Sequence, residues 1–320
     1  MTLSVSRLEP RQTEDGSFSL FSHQVGEGFH SGKGALAEAW SKFVAPADLE
    51  RWPPGSSLHV VDVCFGTGSN TAALLEAAQA RDLTLQWRGL ELDPEPLRLA
   101  LDHAGFRQQW QPISLEILQQ LRRPEAEENA ESVWDHPALG HGELLWGDAR
   151  HRLPDLLGPL RGQVDLVLMD AFSPSRSPQL WTVEFLAGLG ALLAPHGRLL
   201  TYCSAAAVRK ALLLAELEIA SIAAPSGLRQ QQHDWSGGTA ASPMPLADAP
   251  LLRPLSAMEL EHLSTNAAEP YRDPSFRGER AVILQERQRA QQAAMRSGAV
   301  EATSSWRRRW GLCKGISNHQ

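Results

Sequence analysis

A doubly wound, mostly parallel α/β sheet is the fold that this sequence of 320 residues predicts. Three observations carry the expectation. Between Leu58 and Leu217, apolar strand-like runs alternate with helix-like stretches. The first run, "HVVDV", ends in a Gly-x-Gly turn, "FGTG", that opens a helix. The run "VDLVLM" from Val164 is apolar enough to lie in a sheet covered on both faces. Alternation of this kind implies βαβ units with parallel pairing.

The elements follow in order. Residues 10–32 read as short strands around the Asp15-Gly16 turn, a hairpin signal. "GKGALAEAWSKFV" is a helix, and "ERWPPGSS" is a loop leading to the first buried strand at Leu58–Val63. After the glycine turn, "NTAALLEAAQAR" is helical. "LTLQWRGLEL" is a second strand, with a helix in "DPEPLRLALDHAG" and another in "SLEILQQLRR". The polar, poorly patterned stretch 122–142 reads as a loop or insertion. "ELLWGDAR" is a third strand ending at Gly147-Asp148, and "VDLVLMDAF" a fourth. "PQLWTVEFLAGLGALLA" is a helix, "GRLLTYCS" a fifth strand, and "AAAVRKALLLAEL" a further helix. Beyond Ala224 the pattern weakens, and "ERAVILQERQRAQQAAMR" reads as a short strand running into a basic helix. The expected division is an N-terminal extension (1–50) packed on a main domain (51–290), followed by a basic tail (291–320), flexible or ordered.

Composition fits a globular chain with a sizeable core, at 42% hydrophobic and 21% charged residues. No apolar run approaches the ~18 residues of a membrane span. The opening "MTLSVSRLEPRQTEDGSF" lacks the pattern of a signal peptide. Cys64, Cys203 and Cys313 have no metal or redox spacing. Together these predict a cytoplasmic protein with free thiols, no membrane partner and no metal. The net charge of −7 argues against a wholesale nucleic-acid coat. The charge is uneven, however: from Arg277 onward nine Lys/Arg stand against three Asp/Glu. Arg307, Arg308 and Arg309 lie between Trp306 and Trp310, a pattern that suits phosphate contact with base stacking, or simply a solvated tail.

Ligands in doubly wound sheets bind beyond the carboxyl ends of the strands. Each candidate falls at such an end. In Phe65-Gly66-Thr67-Gly68 the glycines permit positive φ and close approach of a ligand to the backbone. Thr71 stands where a dinucleotide fingerprint has its third glycine, which counts against NAD. Glu91 ends the second strand and could accept from both hydroxyls of a ribose, with Asp93 competing for the role. Asp148 follows the third strand and suits an adenine amino group or, equally, a helix N-cap. Asp170 crowns the most apolar strand, where a carboxylate needs a partner or a job; pairing with Arg176 is the structural alternative. Taken together the layout resembles a Rossmann-like class I S-adenosylmethionine-dependent methyltransferase.

A more specific resemblance rests on three stretches. "FGTGSNT", with Asn70, is similar to a Gly-Phe-Gly-Thr-Gly-x-Asn turn, Cys64 replacing the first glycine. "MDAFSPSRSPQLWT" matches an Asp-x-Phe-x-Pro-x-x-x-Pro-x-x-Trp signature at Asp170, Phe172, Pro174, Pro178 and Trp181. "TYCSAAAVRKAL" is similar to a Thr-x-x-x-Ala-x-x-Val-Arg-x-x-Leu segment. The upstream "DGSFSLFSHQVGEGFHSGKGALAEA" and the later "PYRDP" and "TSSWRRRWG" extend the likeness over nearly the whole chain. All resemble the methyltransferase component of the tRNA 5-methylaminomethyl-2-thiouridine biosynthesis family, in a stand-alone, cyanobacterial-type branch.

The resemblance implies S-adenosyl-L-methionine as cofactor and the anticodon stem-loop of tRNA as partner. The reaction implied is N-methylation of 5-aminomethyluridine, with or without the 2-thio group, at the wobble position. Many relatives carry a fused FAD oxidase; no second glycine motif is present in this sequence, so only the methyl-transfer step is expected. Asp170 would be catalytic. Phe65, Gly66, Thr67, Gly68 and Asn70, with Glu91 and Asp148, would hold the cofactor, and His30 and Ser31 would close over its methionine end. Phe172, Pro174 and Trp181 would bound the substrate pocket, ordinary core packing being the alternative for the two aromatics. Arg229 and Arg307–Arg309 would contact RNA. Two other readings stay open: a methyltransferase or aminopropyltransferase-like enzyme acting on a small amine, and an RNA-binding scaffold that has kept the fold.

Overall fold

The computed structural model describes residues 7–32, 34–123, 132–223, 237–246 and 251–312. Three short strands come first: β1 (Leu8–Gln12), β2 (Phe18–Ser22) and β3 (Glu27–Gly28). They form an antiparallel sheet of their own, turning at Asp15-Gly16 as the sequence predicts. The main sheet is built from β4 (Ser57–Val63), β5 (Thr84–Glu91), β6 (Ser132–His136), β7 (Gly140–Trp146), β8 (Val164–Met169), β9 (Leu193–Thr201), β10 (Glu218–Ile222), β11 (Gly238–Ser242) and β12 (Leu252–Arg253). Their order across the sheet is β12-β10-β11-β9-β8-β4-β5-β7-β6. The five central strands, β9 to β7, are mutually parallel, and the flanking pairs are antiparallel.

From β4 the chain steps one way to β5 and β7, then returns to β8 and β9 on the other side. That reversal opens a crevice above the carboxyl ends of β4 and β8. In β8, Leu166, Val167, Leu168 and Met169 are fully buried because the sheet is covered on both faces. Leu166 and Leu168 pack in the core beneath the helix Ser69–Gln79, while Val167 and Met169 pack in the opposite core beneath the helix Val183–Leu192. Each such side chain contributes about 1.5–3 kcal/mol relative to exposure.

Three sequence expectations change here. The stretch 122–142 is not simply a loop, for it contributes β6 and the start of β7, a hairpin that closes one edge of the sheet. "AVIL" is not a strand: residues Arg280–Ser297 form one continuous helix. The Arg/Gln/Ala-rich run that follows favours helix and carries "AVIL" into the same element. This helix crosses the expected boundary at residue 291, and the tail beyond it is packed rather than loose as far as Leu312. There the short helix Thr303–Arg309 buries Trp306, which stacks on His262 at 4.1 Å and donates to the Met258 carbonyl.

Candidate active site

The turn after β4 is built by three positive φ angles, at Cys64 (65°), Gly66 (58°) and Gly68 (82°). A Cβ on Gly68 would come within 2.7 Å of the Leu118 side chain, so this position needs glycine for space as well as for φ. Cys64 takes up the same left-handed geometry with a side chain. Thr71, in the third-glycine position, donates to the buried Asp62 of β4 at 2.6 Å, which ties the start of the helix to its strand. Burial pushes the Asp62 carboxyl up to about 7.

Above this turn lies a cavity of about 650 Å³, within the size range of small-molecule sites. It gathers Phe65, Gly66, Thr67, Asn70, Glu91, Asp148, Asp170, Phe172, His30 and Ser31, so most of the residues singled out from sequence meet in one place. Asp170 is half-buried at the end of β8, with its backbone N–H on the Val63 carbonyl. Asn70 Nδ2 donates to Asp170 Oδ2 at 2.7 Å. Oδ1 has no hydrogen-bond partner among the described residues. Burial, then the nearby Glu38 carboxylate, push the Asp170 carboxyl up to about 8, and the Asn70 bond only partly offsets them.

Glu91 does more than face a ligand. Its Oε2 accepts from the Gly66 N–H at 2.8 Å, and Oε1 accepts from Leu92 and Asp93 N–H at 2.7 and 2.9 Å. The side chain thus clamps the glycine turn while lining the cavity. Burial raises its pKa. Asp93, the competing acid, is paired with Arg7. Asp148 does cap its helix, accepting from the Arg150 N–H at 2.9 Å. It also pairs with the Arg150 guanidinium, which bridges on to Asp273 at 2.9 Å. The "PYRDP" segment is thereby tied to the third-strand end of the cavity.

Other placements correct the sequence reading. Trp181 is fully buried and lines no part of the cavity; its indole donates to the Phe172 carbonyl at 2.8 Å, shaping the loop from beneath. It cannot stack on a substrate. Phe172 does face the cavity, edge-on to Phe29 with centroids 5.1 Å apart. Pro174 is half-buried in the loop and lines no part of the cavity. Arg309 is engaged by Glu261 and Glu301, while Arg307 and Arg308 are exposed. Arg229 lies outside the described residues. His30 sits against the Ser19 hydroxyl at 3.0 Å, and burial lowers it to about 4, leaving it neutral at pH 7. Arg209 of the "TYCSAAAVRKAL" segment is structural: it is buried against Glu259 at 3.0 Å and locks two helices together.

Sequence reasoning missed several residues of the site. Glu27 accepts from the Ser173 hydroxyl at 2.8 Å and fastens β3 to the loop after β8. Glu38 lines the cavity and accepts from the Ser31 N–H. Arg176 and Arg280 stand on its rim. The "GE" and "AEA" letters of the upstream resemblance were the available signal for the two acids. Nothing local marked the arginines.

The residues present suit S-adenosyl-L-methionine. Six carboxylates line the cavity, a donor set that favours a sulfonium and repels a 2′-phosphate, and the glycine turn leaves its backbone open to close approach. A family model described as S-adenosyl-L-methionine-dependent methyltransferase matches residues 125–231. Fold, cavity and match together place the chain in that class of enzyme. The crystal structure of MnmC2 from Aquifex aeolicus superposes with a TM-score of 0.68 at 28% identity, covering 89% of this chain and 85% of that one. The tRNA 5-methylaminomethyl-2-thiouridine biosynthesis bifunctional protein MnmC of Azoarcus sp. (strain BH72) is 30% identical over 252 residues, 73% of this chain and 36% of the relative. The protein of the same description from Caulobacter sp. (strain K31) is 30% identical over 231 residues, 68% of this chain and 37% of the relative. The chain belongs to the MnmC methyltransferase family. It spans about a third of the length of these bifunctional relatives. No helix among the described residues is long and apolar enough to cross a membrane.

Proposed function

We propose that the chain transfers a methyl group to the exocyclic amine of 5-aminomethyluridine, or its 2-thio form, at the wobble position of tRNA. The observation that carries this reading is the placement of Asp170, oriented by Asn70, in the same cavity as the Gly66–Gly68 turn. S-adenosyl-L-methionine, when bound, supplies an electrophilic methyl group on a sulfonium. The protein's task is then positioning and proton removal.

A primary amine is largely protonated at neutral pH and cannot attack in that form. In its ionised form Asp170, whose carboxyl is held at about 8, takes the ammonium proton at Oδ1 and frees the lone pair. The freed nitrogen would then accept the methyl group that the sulfonium, when bound, gives up with the S–C bond pair left on sulfur. Asn70 holds the carboxylate in place through the reaction. Phe172 and Phe29 offer an aromatic edge to a base splayed from its stack. Gly66, Thr67, Glu91, Asp148, His30 and Ser31, which line the cavity, would hold the cofactor, with Gly68 shaping the turn beneath. Arg307 and Arg308 meet the stem phosphates.

Nucleoside mass spectrometry of tRNA from a deletion strain tests the reading. Accumulation of the 5-aminomethyl nucleoside with loss of its methylated form is expected. An unchanged nucleoside profile, together with methyl transfer to free polyamines in vitro, would give the site to a small amine instead.

A further inference from the structure

The cavity is acidic, yet two guanidiniums stand at its mouth. Arg176 and Arg280 are both exposed and both line the rim. They come from separate segments of the chain, one from the turn after β8 and one from the first residue of the helix Arg280–Ser297. Arg280 Nη2 donates to the Ser175 carbonyl at 3.2 Å, which seats it one residue away from Arg176. Arg176 lies over the Gly26 turn of the small sheet, where an added Cβ would come within 3.6 Å of its guanidinium.

Neither arginine forms an ion pair among the described residues. The acids nearby are engaged elsewhere. The six carboxylates lining the cavity bond to Ser173, Ser31, the glycine-turn backbone, Arg7, Arg150 and Asn70 in turn. Arg7, the third rim cation, is itself taken up by Asp93. Two rim guanidiniums that form no ion pair among the described residues are a site for an external anion. A forked guanidinium pair fits a phosphodiester.

We propose that Arg176 and Arg280 form a clamp for the backbone phosphate next to the nucleotide whose base enters the cavity. The clamp rests on the tRNA reading above and supplies what that reading lacks, a basic entrance to an acidic site in a chain of net charge −7. A phosphate held there draws the flanking backbone to the rim and leaves the base free to reach Asp170. It also favours polymeric RNA over a free nucleoside or polyamine.

The test is the affinity of a fluorescent synthetic anticodon stem-loop, measured by anisotropy from low to moderate salt. Each single Arg→Ala change should lower the salt slope by about 0.7, and the Arg176→Ala/Arg280→Ala pair by about 1.4, with a loss of affinity of roughly tenfold or more at low salt. S-adenosyl-L-methionine affinity and melting temperature should stay at wild-type values. Arg176→Lys/Arg280→Lys should restore the slope, since the charge is kept. If the alanine pair binds with unchanged affinity and slope, the clamp is wrong and the tRNA reading stands. If the wild-type protein shows no salt-dependent affinity for the stem-loop at all, both fall.

Discussion

Asn70 and Asp170 lie one hundred residues apart in the chain and meet through a hydrogen bond of 2.7 Å across the crevice between β4 and β8. One residue opens the helix after the glycine turn, and the other crowns the adjacent strand. The bond fixes one oxygen of the carboxylate, and the other has no hydrogen-bond partner among the described residues. Asp170→Asn keeps the shape but cannot take a proton, so methyl transfer should fall by about 10²-fold or more. Cofactor affinity should change only a few-fold. Asn70→Ala should lower kcat more than it raises KM. Radiolabelled methyl transfer with calorimetry for the cofactor measures both; equal loss of activity and binding would assign Asp170 to the fold.

Glu91 satisfies three backbone N–H groups of the turn and its neighbour. Leaving a buried donor unsatisfied costs about 1–3 kcal/mol. Glu91→Ala should therefore weaken cofactor binding more than tenfold and lower the melting temperature, with Glu91→Gln intermediate because one carbonyl acceptor remains. A variant that binds poorly yet melts like wild type would restrict Glu91 to ligand contact alone.

Asp170 is raised from its ordinary 3.8 to about 8, so the folded state holds the extra proton and stability is lost as pH rises through that range. His30 is lowered from 6.5 to about 4, so its contribution is present above 6.5 and lost as pH falls. Between about 4 and 6.5 the two slopes oppose each other. Above 6.5 the Asp170 slope acts without opposition from His30. Relative to wild type, Asp170→Asn should gain melting temperature between pH 6.5 and 8, and His30→Gln should gain it as pH falls from 6.5 toward 4. Paired thermal melts across pH 4–9 read the differences, and flat differences would refute the assignment.

At the other end of the chain, Trp306 is buried and stacked on His262, whereas Arg307 and Arg308 face solvent. Trp306→Ala should cost about 3–5 kcal/mol by chemical denaturation. Arg307→Ala and Arg308→Ala should leave stability within about 0.5 kcal/mol. Deleting residues 300–320 would therefore lower stability as well as any RNA affinity, and point variants separate the two effects.

Much of this was legible in the sequence because strand ends and turns are written locally. The apolar runs, the glycine pair, Glu91, Asp148 and Asp170 each sit where a parallel sheet presents its carboxyl edge. What escaped was non-local. The strand Ser132–His136 alternates over only five residues beside a charged stretch, and its partner across the hairpin is what makes it a strand. "AVIL" looks β-branched, but the Arg/Gln/Ala-rich run after it carries it into one continuous helix. Trp181 reads as a stacking platform from its motif, and only the packing shows it turned beneath the loop. Glu27, Glu38, Arg176 and Arg280 come from four separate segments, and nothing in any one of them reports the others.

Among the described residues, the small sheet of β1–β3 exchanges no backbone ladder with the large one. Its hydrogen bonds to the entrance loop run through Glu27, reaching Ser173, beside the Phe29–Phe172 ring contact. Rigidity of the catalytic floor and width of the doorway are therefore set by different parts of the chain. A substitution at Glu27 could widen the opening for a bulkier guest while the strands that aim Asp170 stay as they are.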